Sequence, residues 1–438
     1  MSKPSKEAQP PEAVEVYFDV RDGGYWYQLN GRFVKLKKSD IYLHFRNMGL
    51  RDDLYFNGIR ELDWPLWNAQ VKHLVDYAGD LAGHRAGVFS DSGGRTYLAM
   101  TEARGVWDVA KKAAQPKWFM DFVQKLLEGD QWEYFCHWLA ISLHSLREHD
   151  FRPGQVVIMA GPAQCGKSLL QAIVTEILGG RCAKPFNYMM GITQFNQDLA
   201  GAEHWMIEDP DTTTDIRARR SFGNKLKECA GNAEFNIQGK GKDALPLKLF
   251  RRITVSVNDE PENVAVVPPM DASIADKIFL FRCSPVKLGS DRKAIWATVQ
   301  EEVPRIRSWL LRNFLKVPEE LRDDRCSIKS WHHPELMEEL TAMAPETRLL
   351  NLIDTVLFEG NAEQVAWSGK AVELENQLRE SKVGFEIDKM LKWSNAAGVY
   401  LSRLSKQHPD RVSKRLKDGY TSWIITVPSQ QKIEEKES

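Results

Sequence analysis

The stretch Gly161-Pro162-Ala163-Gln164-Cys165-Gly166-Lys167-Ser168 constrains this chain more than any other. It fits the pattern G-x-x-x-x-G-K-[ST]. The apolar run Val156–Ala160 precedes it, and the helix-patterned run Leu169–Leu178 follows. Strand, glycine-rich loop and helix in that order give the pattern its chemical meaning. In that context backbone N–H groups of the loop and the helix N-terminus face anionic phosphates. Lys167 reaches the β- and γ-phosphates, and the Ser168 hydroxyl is a ligand for Mg²⁺. ATP and Mg²⁺ are therefore the expected ligands, with Gly161 through Leu169 as the binding segment. A merely structural glycine turn is the bland alternative, and the flanking elements argue against it.

Composition bounds the rest. The chain has 438 residues, enough for two or three domains, with 43% hydrophobic and 27% charged residues, ordinary for a globular protein. A net charge of −1 means that any basic surface must be local. Six scattered cysteines without a C-x-x-C pair argue against zinc and against a disulfide scaffold. They fit a reducing compartment, so a cytoplasmic protein is expected. No apolar run is long enough to span a membrane, and no signal peptide is evident. The polar ends, residues 1–11 and 431–438, are expected to be disordered.

The fold class expected is α/β. Residues 152–286 alternate strands and helices, as in a parallel-sheet ATPase core expected over 152–325. Residues 1–115 read as a small α+β accessory module, with a hairpin turning at Asn30-Gly31 and a helix that Ser39 caps. Residues 116–151 read as two helices from apolar spacings of three and four. His137 and His144 lie on these helices as packing residues, since no third ligand is apparent. Residues 326–438 carry helices and then a hairpin around Asp418-Gly419, which suggests a winged-helix-like module. Arg403, Lys406, Arg411, Lys414, Arg415 and Lys417 cluster there. They suit duplex phosphates or a solvated face equally well.

Three later segments narrow the chemistry. His204–Asp209 is an apolar strand ending in Glu208 and Asp209, acids suited to holding Mg²⁺ and activating water. A helix-capping role is the alternative for them. Arg252–Asn258 is a strand ending in an amide that can orient the attacking water or sense the γ-phosphate. Between them, Lys227 to Lys242 reads as a helix end, a short strand and a Gly-flanked tip bearing Lys240 and Lys242. Lysines on such a tip can grip a phosphate backbone without reading sequence.

Together these segments resemble superfamily 3 helicases, AAA+-type replication ATPases of small viruses, phages and plasmids. The resemblance spans about residues 153–286. It implies a homo-oligomeric ring, a hexamer, that moves on single-stranded DNA with 3′ to 5′ polarity. It further implies that Lys227, Lys240 and Lys242 contact DNA and that residues 117–148 form a collar. Ala275–Arg282 resembles the segment that supplies a trans-acting arginine. Here the matching position is Lys277, which lacks the planar fork, so Lys277, Arg282, Arg219 or Arg220 takes the role. Gln164 also departs, standing where many members have glycine. A separate primase, polymerase or origin-binding protein is the expected partner, because the first 115 residues lack paired metal-binding acids. Two other readings stay open: an ATP-regulated, DNA-binding initiator, and a defence or signalling ATPase without unwinding activity.

Overall fold

The structure is a computed structural model that describes residues 14–428 apart from 112, 209–215, 233, 261–263, 265, 269, 271–272, 343, 362 and 418–419, and without the side chains of 216–220 and 417. Both chain ends, Asp209 and the Asp418-Gly419 turn therefore lie outside the described residues. The chain divides into two compact units, residues 1–333 and 334–438.

The centre of the first unit is a five-stranded parallel sheet. Its strands are β1 (Val156–Ala160), β2 (Cys182–Ala183), β3 (His204–Glu208), β4 (Arg252–Val257) and β5 (Ile278–Arg282). Their order across the sheet is β2-β3-β4-β1-β5. Every residue of β1 and β4 is buried. Burial of every side chain marks a parallel strand covered on both faces; β1 is wholly apolar, while β4 alternates Arg252, Thr254 and Ser256 with Ile253, Val255 and Val257. Two buried polar groups cross-link the layers. Gln171 on the helix Lys167–Ile177 donates to Ile207 O at 3.1 Å and to Thr254 Oγ1 at 2.9 Å. His204 sits between Thr175 Oγ1 at 2.7 Å and Thr254 Oγ1 at 2.8 Å.

The helices Lys117–Leu126 and Gln131–Arg147 share one continuous apolar core with this sheet. Phe119, Phe122, Phe135 and Trp138 pack in the same cluster as Val157, Ile173, Phe279 and Trp309. The first helix begins where Glu302 accepts from the N–H groups of Trp118 and Phe119 at 3.2 and 2.9 Å. A carboxylate there satisfies donors that a helix N-terminus leaves free. Asp291 does the same for the helix Arg292–Asn313, accepting from Lys293 N and Ala294 N. His137 is buried, with Nδ1 2.6 Å from Phe314 O.

Residues 16–99 form two small sheets and a short hairpin at Tyr55–Phe56 and Ile59–Arg60. Leu29 pairs with Arg32, so Asn30 and Gly31 make a two-residue turn, with φ of 50° and 76°. The helix Lys38–Asn47 begins one residue before Ser39, whose hydroxyl meets Asp40 Oδ1 instead of capping the backbone. This region is stitched to the central sheet. Ala82 N donates to Ala200 O, Phe250 N to Ala82 O, and Arg307 grips the carbonyls of Arg104 and Gly105.

The second unit orders its elements as helices Pro334–Ala342 and Pro345–Leu357, strand Ala366–Gly369, helices Ala371–Arg379, Gly384–Met390 and Ala396–Gln407, then the hairpin Val412–Lys417 and Tyr420–Thr426. The last strand lies centrally, between the other two. Leu349 and Ile353, one turn apart on the helix Pro345–Leu357, meet Leu374, Leu401, Leu404 and Trp423 in one core. Among the described residues no helix is long and apolar enough to cross a membrane.

Candidate nucleotide site and hairpin

The carboxyl ends of the sheet bring the candidate residues to one edge. Ala160 pairs with Val257 on one side and Arg282 on the other, and Glu208 pairs with Ser256. Gly161, Glu208, Asn258 and Cys283 therefore leave the sheet at nearly the same level. Ligands of parallel α/β sheets bind outside this edge.

The loop geometry needs its glycines. A Cβ on Gly161 would stand 2.6 Å from Cys283 O and 2.8 Å from Cys283 Cβ. Gly166 has φ of 122°, which L side chains rarely adopt. Gln164 has φ of 62°, the conformation that explains why glycine suits this position. Pro162 is half-buried, and Ala163, Gln164 and Ser168 are exposed at the mouth of the loop. Leu169, half-buried, packs on the core.

Lys167 is only 5% exposed. Its Nζ donates to Gly161 O at 2.7 Å, Pro162 O at 2.9 Å and Asn258 Oδ1 at 3.3 Å. The last bond joins two predicted site residues 91 positions apart. Cys165 faces Cys283. The hydrogen bond between the thiols, aided by the Lys167 charge against the effect of burial, lowers Cys165 to about 6. The same bond and burial push Cys283 upward.

Glu208 lies at the end of β3, where its Oε2 accepts from Lys184 Nζ at 2.6 Å. That bond holds Lys184 above its ordinary value. The oxygens of Ser168 and Glu208 are hard ligands of the kind that suit Mg²⁺. Among the described residues no cluster of three or more His, Cys, Asp or Glu could hold a metal by itself.

The finger candidates separate. Arg282 ends β5 at the carboxyl edge beside the glycine-rich loop, with its N–H on Gln131 Oε1 at 2.7 Å. Lys277 precedes β5, where Ile278 pairs with Val156 at the start of β1. It therefore lies at the opposite edge of the sheet. Its Nζ donates to Ser273 O at 2.8 Å and Asp276 Oδ1 at 2.7 Å. Arg219 and Arg220 lie in the helix Ile216–Gly231, and their side chains are outside the described residues.

The basic segment also separates. Lys227 lines an open groove of about 320 Å³ with Lys277, Arg325 and Asn224. Lys240 and Lys242 belong instead to the tip of the antiparallel hairpin Glu234–Ile237 and Leu245–Lys248. Lys240 is exposed and Lys242 half-buried. Phe235 roots the hairpin against Trp205, with ring centroids 5.2 Å apart. Asn196 straps the loop before it to the hairpin, through Asn236 O at 2.9 Å and Gln238 N at 2.7 Å. That strapped loop exposes Ile192 (70%) and Phe195 (44%). Sequence reasoning missed both. Two large apolar residues in the short polar run Gly191–Asn196 were the available signal.

In the second unit Arg411 is structural. It binds Asp354 at 2.6 Å and Thr426 O at 2.8 Å. Arg403 reaches Glu346 at 3.5 Å, while Lys406, Lys414 and Arg415 are exposed. The side chain of Lys417 lies outside the described residues.

No known family and no curated protein matches the sequence. Solved structures match the fold. The fold resembles an apo structure of the NrS-1 C-terminal region, at TM-score 0.58 and 14% identity, covering 94% of this chain and 96% of that one. An A-form apo structure of the same region matches at TM-score 0.56 and 13% identity, with 94% and 96% covered. Likeness over nearly the whole of both chains takes in the small modules as well as the sheet.

Proposed function

We propose that this chain is an ATP-driven, ring-forming DNA helicase of the superfamily 3, AAA+ type. The observation that carries the proposal is the Lys167–Asn258 contact at 3.3 Å on the carboxyl edge of the parallel sheet. It joins the phosphate loop to the strand-end amide that would sense the γ-phosphate. Lys167 would stabilise the charge that grows on the transferred phosphoryl group. Asn258 would orient the attacking water, and Glu208 with Asp209 would supply the base. Ser168 and Glu208 would hold Mg²⁺, which neutralises phosphate charge when bound. Lys277, remote from the loop of its own chain, would act on the nucleotide of a neighbouring subunit after leaving Asp276, to which its buried ammonium is bonded at 2.7 Å.

The hairpin supports the DNA half of the proposal. Lys240 is a cation at an exposed tip, and Phe195 and Ile192 offer an apolar platform on the loop strapped beside it. Cation plus stacking surface is the composition of a sequence-tolerant single-strand site. Residues 345–426 are read as a winged helix, from a helix and a strand followed by three helices, the middle one short, and a hairpin whose last strand is central. Lys406, Lys414 and Arg415 on its surface suit duplex phosphates, as an initiator would need. A separate primase or polymerase remains the proposed partner.

ATP hydrolysis with and without single-stranded DNA, run beside unwinding of a forked duplex, tests the proposal. Stimulated hydrolysis with unwinding is expected. Hydrolysis indifferent to DNA, with no unwinding, would replace the motor by a nucleotide switch.

A further inference from the structure

The hairpin that carries Lys240 and Lys242 is held from outside by the amino-terminal region. Arg21 donates to Asp243 O and, at 3.5 Å, to Ile237 O. Arg95 donates to Pro246 O at 3.2 Å, and His84 Nε2 lies 3.0 Å from Lys248 O. These contacts bind main-chain carbonyls, so they fix the hairpin's position and leave its cations alone. One contact differs in kind. Asp22 Oδ2 lies 3.3 Å from Lys242 Nζ and 2.9 Å from Lys35 Nζ.

Two ammonium groups from segments over two hundred residues apart thus converge on one carboxylate oxygen. Convergent cations around a single anionic oxygen are the geometry of a phosphate site. The carboxylate belongs to a turn with its own supports. Asp22 Oδ1 accepts from Gly24 N at 3.1 Å, and Asp19 accepts from Arg21 N at 2.9 Å. Burial works against ionisation of Asp22, yet the two lysines outweigh it and hold the carboxyl below its ordinary value. The Asp22 side chain is 14% exposed, while Lys35 and Lys242 are 45% and 27% exposed. The cations are reachable from solvent, with the carboxylate beneath them.

We propose that Lys35 and Lys242 form a phosphate site for the backbone of single-stranded DNA, and that Asp22 occupies it until DNA arrives. The acid is a resident stand-in for a phosphate. DNA must compete with it, so Asp22 weakens binding and keeps the tip docked on the amino-terminal region. This role for residues 16–36 rests on the DNA-binding reading of the hairpin.

The test measures binding of a fluorescein-labelled oligo-dT to the full chain by anisotropy, at several salt concentrations. Asp22→Asn keeps the shape and removes the charge. It is expected to tighten binding about 5-fold or more at low salt, because two cations are released to the backbone. Lys35→Ala is expected to weaken binding and to reduce the salt slope by about 0.7, the loss of one phosphate contact on a single strand. Were Lys35 only a partner that positions Asp22, Lys35→Ala would tighten binding as Asp22→Asn does. That result, or equal affinity of Asp22→Asn and wild type with unchanged melting, overturns the site alone. Binding by neither chain overturns the DNA reading of the hairpin and the site with it. Binding by Asp22→Asn but not by wild type is the strongest form of support.

Discussion

Lys167→Ala is the substitution whose outcome the geometry fixes most tightly. The Lys167 ammonium is 5% exposed and lies within 3.3 Å of three oxygens, two on the loop and one on Asn258. Opposite charges at about 4 Å interact by about 4 kcal/mol at an effective dielectric of roughly 20. Removing one preorganised donor to a charged transition state costs about 3–4 kcal/mol, or roughly 100- to 1000-fold in turnover. The fold gives a contrasting expectation. Alanine frees two loop carbonyls, and it also removes a buried charge whose desolvation opposed folding. These effects oppose one another, so the melting temperature is expected to move by a few degrees at most. Steady-state phosphate release with Mg²⁺-ATP, beside thermal melts by circular dichroism, measures both. Asn258→Ala is expected to lower turnover as well. Because the two side chains are bonded, the double variant is expected to lose far less than the product of the single losses. Wild-type turnover in Lys167→Ala would refute the assignment of the site. Strictly multiplicative losses would refute the coupling between loop and amide.

Gly161→Ala puts a Cβ 2.6 Å from Cys283 O, a backbone atom that cannot rotate away. The loop must shift, and ATP affinity is expected to fall at least about 10-fold, with stability lowered by about 1–3 kcal/mol. Equilibrium binding of a fluorescent ATP analogue checks it, and unchanged affinity would mean that the loop does not depend on this close approach. His204 gives a pH prediction. Burial lowers its value from 6.5 to about 3, so the folded chain refuses a proton that the unfolded chain accepts. The stabilisation is therefore complete above about pH 6.5 and is lost progressively as pH falls toward about 3, amounting to about 2 kcal/mol at pH 5. Urea denaturation at pH 7.5 and 5.0 is expected to show that His204→Gln loses about 2 kcal/mol less than wild type over this interval. Equal losses in the two chains would remove His204 from the account of acid sensitivity.

The glycine-rich loop, its strand and its helix were legible because the signal is local. A fixed residue spacing and two apolar periods identify them within some twenty positions. The strand-end placement of Glu208 and Asn258 was legible for the same reason. What the sequence could not reveal were pairings across long separations. Asp22 and Lys242 are 220 residues apart, and Arg307 meets Arg104 and Gly105 over about as great a distance. Polar loop residues carry no period, so nothing along the chain announces such partners. Lys227 and Lys240 read as a helix end and a hairpin tip, and the structure has them so: Lys227 lines a groove with Lys277 and Arg325, while Lys240 rides on the hairpin. Arg411 reads as one more surface cation, yet it is committed to Asp354 and Thr426.

The two edges of the sheet bear on how copies of the proposed ring would meet. The carboxyl edge carries Gly161–Ser168, Glu208 and Asn258. The amino edge carries Lys277, and Lys227 and Arg325 line the same groove beside it. A two-fold dimer closes a patch on its own copy and leaves none of it open to a third copy, so it cannot extend into a ring. Head-to-tail contact instead sets the cations of one copy against the phosphates bound to the next, and closes into a ring when its rotation permits. The hairpin returns to the sheet at this same amino edge, entering β4 at Arg252, where Arg251 ties it to Cys229 O at 3.0 Å. The groove cations and the root of the hairpin thus share one end of the sheet. In the proposed ring, a change at a neighbour's γ-phosphate would reach the hairpin through Lys277 and the helix Ile216–Gly231. Its route would not need the buried strand β4, which is paired on both sides.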